Sequence, residues 1–312
     1  LYAAIEAGCN SVYFGVEGLN MRSRSANNFT IDDLRKIASI AQQHNVRTYL
    51  TLNTVVYDSE MDYMKSILIA AKESGVTAVI AADLSVIQYA NEIGLEVHLS
   101  TQCNITNSEA VRFFSKFADV IVTARELSLQ QVKAITQWIE ENDIKGPSGR
   151  QLEIECFVHG ALCVCYSGQC YLSEMIAGRS ANRGACIQAC RSRYDLTDAS
   201  GKILVKDKAL LSLKDYNLRD RIAELAEAGI TSFKIEGRLK NISYVRNIVR
   251  YYSQKIDSLI EASVDKYERG SFGRIRGGFV PAPEITFNRG YTELFIDGKK
   301  GKWACMDAAK SM

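Results

Sequence analysis

Several features are scarce in this chain of 312 residues. Three prolines and 21 glycines are too few for a collagen-like chain, and 47% hydrophobic residues exclude a disordered one. The histidines number three (His44, His98 and His159). With no H-E-x-x-H and no G-x-S-x-G, neither a zincin helix nor a serine-hydrolase elbow is legible. No glycine-rich turn follows the first β-like run, which argues against a dinucleotide-binding sheet. No apolar run approaches the roughly 18 residues that span a bilayer, so no membrane partner is expected. Excess charge of one sign is missing too. The 38 basic and 36 acidic side chains leave +2, which makes no global case for nucleic acid. The opening LYAAIEAGCN lacks a basic start followed by an apolar block, so no leader is visible and a cytoplasmic location is expected. It also lacks an initiating Met, which is expected of a fragment or a processed chain.

What is present is a repeated rhythm. Short β-rich runs, SVYFG, RTYLTLN, TAVIAAD, EVHLSTQ, DVIVTAR, EIECFVHG and TSFKIEG, alternate with amphipathic helical patterns such as IDDLRKIASIAQQH. That alternation predicts parallel βαβ units. An eighth strand is expected at 210–214, and an opening strand upstream of Leu1. The fold class read from this is α/β, a (β/α)8 TIM-like barrel over 1–262, with a cysteine-rich insertion at 161–208 after the His159 strand. The Gly-, Arg- and Phe-rich stretch 263–312 reads as a C-terminal extension.

Side chains two apart on a strand share a face. On that rule Asn53 shares a face with Thr51, His98 with Gln102, Thr123 with Arg125, Glu155 with His159, and Lys234 with Glu236, while the alternate positions are apolar. The apolar faces are expected to meet the helices and the polar ones to line the barrel towards its C-terminal mouth, as an active site requires. The bland alternative is a satisfied polar layer in the core. Glu155 and His159 are the residues that would polarise a metal-bound water, although no acid, base and nucleophile triad is legible.

Nine cysteines are an odd number, and six of them lie between Cys156 and Cys190. The spacing Cys163-x6-Cys170-x15-Cys186-x3-Cys190 lacks zinc knuckles and matches neither common ferredoxin pattern. Thiolates are soft donors, so an iron–sulfur cluster, a zinc ion and plain buried thiols all stay open. Cys165 is a substitute ligand in this reading, and Cys156 a core residue. The same segment carries Arg179, Arg183, Arg191 and Arg193 with no acid among them, and Lys234, Arg238 and Lys240 follow later. Arginine forks suit phosphates, and Tyr166, Tyr171 and Tyr194 suit stacking on bases. A solvated face is the alternative.

The motifs EIECFVHGALCVCYSGQCYLS, RSANRGACIQACR, HLSTQ, TARELSL and FKIEGRLK resemble the U32, or collagenase-like, peptidase family over about 1–262. Within it, GQCYLS, GRSANRG, LLSLKD and SYVRNI look most like the branch of 23S rRNA 5-hydroxycytidine synthases, with tRNA uridine hydroxylases as near relatives. The resemblance implies a TIM-like barrel and a 4Fe-4S cluster on Cys163, Cys170, Cys186 and Cys190. It further implies hydroxylation of a pyrimidine in rRNA or tRNA at ring carbon 5, with prephenate as the hydroxyl source in the tRNA branch. On that reading Asn53, His98, Gln102, Arg125, Glu155, His159, Lys234 and Glu236 line the mouth. Arg125, Lys234 and Arg238 would meet a carboxylate donor or phosphate, and an electron-transfer partner serves the cluster. The rivals are a peptidase and a non-catalytic RNA-binding module with a structural metal.

Overall fold

The computed structural model describes residues 1–21, 29–237, 240–270 and 273–298. After α1 (Tyr2–Glu6), strand and helix alternate: β1 (Ser11–Phe14), α2 (Asp33–Gln43), β2 (Arg47–Leu52), α3 (Met61–Glu73), β3 (Ala78–Ala81), α4 (Leu84–Glu92), β4 (Glu96–Leu99), α5 (Ser108–Phe114), β5 (Val120–Val122), α6 (Leu129–Glu141) and β6 (Glu153–Gly160). The insertion carries α7 (Leu172–Ala177) and a hairpin of β7 (Tyr194–Thr197) and β8 (Ile203–Lys208). Then come β9 (Asp215–Asn217), α8 (Ile222–Glu227), β10 (Ser232–Ile235), α9 (Ile242–Ala262) and β11 (Tyr291–Thr292).

The helical period sets the packing. In α3, Met64, Ile67, Leu68 and Ala71 recur at the spacing of one face and are all fully buried. Leu50 and Leu52 of β2 are sealed on the same core, and each such side chain contributes roughly 1.5–3 kcal/mol by leaving water. A 21-residue α9 lies at the end of this layer, with Tyr244, Ile248 and Tyr252 buried.

Strands β1 to β6 form one parallel ladder in chain order, and β10 joins the far side of β6, also parallel. The sheet curls until its outer strands meet through side chains, because the Tyr13 hydroxyl of β1 donates to the Ile235 carbonyl of β10 at 3.0 Å. No ladder joins β1 to β10 among the described residues, so hydrogen bonds do not close the expected barrel. A cavity of about 1400 Å³ opens at that seam.

One further expectation changes. The eighth strand expected at 210–214 appears later as β9, and it runs antiparallel to β6 through His159 and Gly160. Described residues of the C-terminal extension also pack on the sheet. Its β11 pairs with β9, and Arg289 forms a buried ion pair with Asp215 at 3.0 Å.

Strand β6 also carries a bulge. Lys234 aligns with Phe157 but Ile235 aligns with His159, which leaves Val158 as the extra residue. Gly160 ends the strand at φ +114°, and a Cβ there would lie 2.7 Å from the Glu236 carbonyl oxygen. Only glycine lets β10 approach so closely at that conformation.

Candidate functional site

The end of β6 delivers the chain to the cysteine segment. Arg191, 6% exposed, anchors that turn by donating to the Leu162 carbonyl at 2.5 Å, the Leu213 carbonyl at 2.6 Å and the Ser212 hydroxyl at 2.8 Å. Ser167 is fully buried at φ 44° and donates through its backbone N–H to Glu126 at 2.8 Å, and Asn182 accepts the N–H of Cys170 at 3.0 Å. A non-glycine residue at positive φ costs roughly 1–3 kcal/mol, so the contacts around Ser167 over-determine the loop.

These contacts gather five thiols. Cys165 lies within hydrogen-bond reach of both Cys163 and Cys170, and Cys190 feels the charges of Cys163, Cys186 and Cys170. The hydrogen bond from Cys165 brings Cys163 down to about 5, a thiolate at neutral pH, while Cys165 itself is pushed up. Two sulfurs already accept backbone N–H groups: Cys170 from Leu172 and Cys186 from Gln188, each at 3.4 Å. Gln188 sits at φ 56°. Among the described residues no three His, Cys, Asp or Glu side chains stand in metal-binding geometry. The donor set nevertheless fits a thiolate-held cluster in its chemistry: soft sulfurs, one of them ionised, with N–H donors on two others. The other described cysteines differ. Burial pushes Cys9, Cys103 and Cys156 up to about 12, which leaves them protonated and inert.

Inside the sheet, Glu155 of β6 and Lys234 of β10 form a buried pair at 2.5 Å, and Ser232 donates to the same carboxylate at 2.7 Å. Burial alone would raise the Glu155 pKa. The Lys234 charge and these hydrogen bonds outweigh it and hold the carboxyl below its usual range. The Lys234 ammonium also lies 4.8 Å from the Tyr13 ring and 5.7 Å from Phe157. His98 bonds Glu96 at 2.9 Å and packs on Tyr49 at 4.5 Å, below the mouth rather than at it. Its Nδ1 is buried without a partner. Tyr13, Tyr49, His98, Glu155, Lys234 and Lys240 all line the cavity at the seam.

His159 does not join Glu155. The bulge at Val158 breaks the alternation between them. His159 packs instead among Tyr244, Tyr252 and Tyr291, with ring centroids 5.6–6.0 Å away, and Nδ1 meets the Tyr252 hydroxyl at 3.2 Å. Burial lowers its pKa to about 4, so it is neutral at pH 7. A water-activating Glu155–His159 pair is therefore not assembled.

At the strand ends, Asn53 and Gln102 clasp one another: Nδ2 of Asn53 donates to Oε1 of Gln102 at 2.7 Å, and Nε2 of Gln102 donates to the Asn53 carbonyl at 2.8 Å. Arg125 lies 5.6 Å over Phe157 and acts on Cys163. Glu236 accepts from Tyr13 at 3.4 Å. The basic residues mostly have local duties. Arg183 forks onto Glu60, donates to the Val55 carbonyl and stacks on Tyr57 at 4.3 Å, while Arg193 pairs with Asp207 at 3.0 Å. Arg179 keeps a buried Nε without a partner, and Arg238 lies outside the described residues. Tyr166, Tyr171 and Met175 around the thiols are exposed.

The profile of peptidase family U32 matches residues 1–304. The chain belongs to that family. It is 45% identical to a Porphyromonas gingivalis protein named collagenase over 306 residues, 97% of this chain and 72% of that one. It is 39% identical to the 23S rRNA 5-hydroxycytidine C2501 synthase of Escherichia coli over 98% of this chain but 45% of that protein. It is 34% identical to the tRNA hydroxylation protein P1 of Bacillus subtilis over 83% of this chain and 60% of that one. Two of these three relatives thus extend well beyond this U32 chain. No described helix is long and apolar enough to cross a membrane.

Two outcomes follow for this U32 fold. Glu155→Gln strands a buried ammonium and lowers the unfolding free energy by about 3–5 kcal/mol; the double variant Glu155→Leu, Lys234→Met loses less, as urea denaturation will show. The stability His159 contributes is full above its ordinary value of 6.5 and is lost as pH falls towards 4. Between those limits the wild type should lose about 3 kcal/mol more than His159→Gln, measured by denaturation at each pH.

Proposed function

We propose that this chain is the barrel portion of an RNA-modifying hydroxylase that converts C5–H of a pyrimidine, most specifically cytidine in 23S rRNA, to C5–OH. The observation that carries this reading is the convergence of Cys163, Cys165, Cys170, Cys186 and Cys190 where β6 ends. A soft donor set of that kind suits an iron–sulfur cluster or zinc, and a cluster would supply the electron chemistry that hydroxylation needs. The two relatives named for rRNA and tRNA hydroxylation support it.

In this reading Cys163, Cys170, Cys186 and Cys190 hold a 4Fe-4S cluster, with zinc as the alternative occupant. When bound, such a cluster supplies one-electron chemistry. Arg125 holds positive charge beside Cys163, and the Asn53–Gln102 clasp shapes the mouth. The exposed rings of Tyr166 and Tyr171 offer stacking surfaces for an unpaired or extruded base. Replacing C–H with C–OH removes two electrons from the base. They pass to an electron-transfer partner or to the hydroxyl donor, a small carboxylic acid such as prephenate. An RNA substrate of this kind belongs in the cytoplasm.

The collagenase name of one relative favours a peptidase as the second reading. It would need a water-activating group, and both candidates are occupied: Glu155 by Lys234, His159 by Tyr252. Cys170→Ala and Cys186→Ala are each expected to abolish the brown chromophore and RNA hydroxylation together, read by visible absorption and by nucleoside mass spectrometry. Full hydroxylation in a colourless variant would contradict the proposal. Peptide cleavage that survives iron removal would favour the peptidase.

A further inference from the structure

Lys240 stands between β10 and α9, just before Asn241, which caps the helix by accepting the Tyr244 N–H at 2.8 Å. Its Nζ is shielded from water and has no hydrogen-bond partner among the described residues. The faces of Phe287, at 4.7 Å, and Tyr244, at 5.2 Å, flank it. Rings attract a cation, but they do not replace the three acceptors an ammonium has in water.

Charged groups of both signs surround it. Arg289, 3% exposed, lies over the same Phe287 ring at 5.1 Å, with its Nη1 on Asp215 and its Nε unpartnered. Arg191 directs its hydrogen bonds to the uncharged oxygens of Ser212, Leu213 and Leu162. Both guanidiniums repel Lys240, while Asp215 and Glu236 attract it. The Cys163 and Cys190 thiols act on Arg191 as well, so what Lys240 lacks is an acceptor rather than a counter-charge. A shielded ammonium without an acceptor is costly, and an oxygen of an anion would supply one.

We propose that Lys240 anchors an oxyanion site on the cavity at the β1–β10 seam. Lys240 and Lys234 line the same cavity, but Glu155 already neutralises Lys234. Lys240 is the ammonium left to meet a ligand oxygen. The oxyanion is either the carboxylate of a small acid or a phosphate of the RNA backbone. This deepens the hydroxylase reading and rests on it for the choice of those two carriers.

The test is calorimetric titration of the purified chain with sodium malonate, with inorganic phosphate and with a short single-stranded RNA, at constant ionic strength in chloride. Lys240→Met is expected to weaken binding of malonate, phosphate or both by at least about tenfold, the loss of one charge-assisted hydrogen bond. Lys240→Arg should keep most of the affinity. A response to malonate alone assigns the site to a small acid. A response to phosphate and RNA without malonate assigns it to the backbone, and a response to both confirms the oxyanion chemistry with either carrier admitted. Lys240→Met should also unfold at or above the wild-type temperature, since it removes a shielded ammonium that has no acceptor. Unchanged binding in Lys240→Met, no binding of either anion by the wild type, or a lower unfolding temperature in the variant would each overturn the inference. Neither iron nor turnover enters the measurement. A chain that binds anions through Lys240 yet modifies no RNA would therefore sink the functional reading and leave this one standing.

Discussion

Strand β6 is bonded to three other strands, and the rest of the molecule depends on how it divides itself among them. Its first residues pair with β5, its middle with β10, and its last two with β9 in the opposite direction. The bulge at Val158 lies just before His159, which pairs with both Ile235 of β10 and Asn217 of β9. Below it, Glu155 faces Lys234 in the interior; above it, His159 turns towards α9, and Gly160 lets β10 pass close by. The strand then releases the chain into the cysteine segment, already tethered by Arg191 at Leu162. A single extra residue thus separates a buried ion pair from the thiol site.

Much of this was legible in the sequence, because period-2 and period-3.6 patterns report which side of an element is buried. All seven strands read from alternation are present, and β6 has the bounds its pattern suggested. The bulge was not legible. Alternation assigns Glu155 and His159 to one face, and only pairing with β10 shows that an extra residue intervenes. The same limit explains the arginines. Arg183 reads as a free cation in a run without acids, yet its partner Glu60 stands 123 positions away. Sequence proximity counts charges along the chain, whereas the fold neutralises them across it.

The polar interior was anticipated as a reactive mouth, and the structure divides it into two parts. The Glu155–Lys234 pair joins β6 to β10, and His98 bonds Glu96 within β4 and packs on Tyr49, all in a deep, mostly satisfied layer. The groups proposed to carry the chemistry lie further along, where thiols, the Arg125 guanidinium and exposed tyrosines surround the strand ends. That arrangement agrees with the general position of reactive loops beyond the C-terminal ends of parallel strands. It also explains why a peptidase label sits poorly with the residues: the groups able to activate water are those the fold has already paired.

The central claim is that the gathered thiols hold a redox cluster, and iron and acid-labile sulfide analysis of oxygen-free protein tests it most directly. The account predicts about four irons and four sulfides per chain, with a brown visible spectrum. One zinc without sulfide, or no metal at all in protein that still hydroxylates RNA, would contradict it.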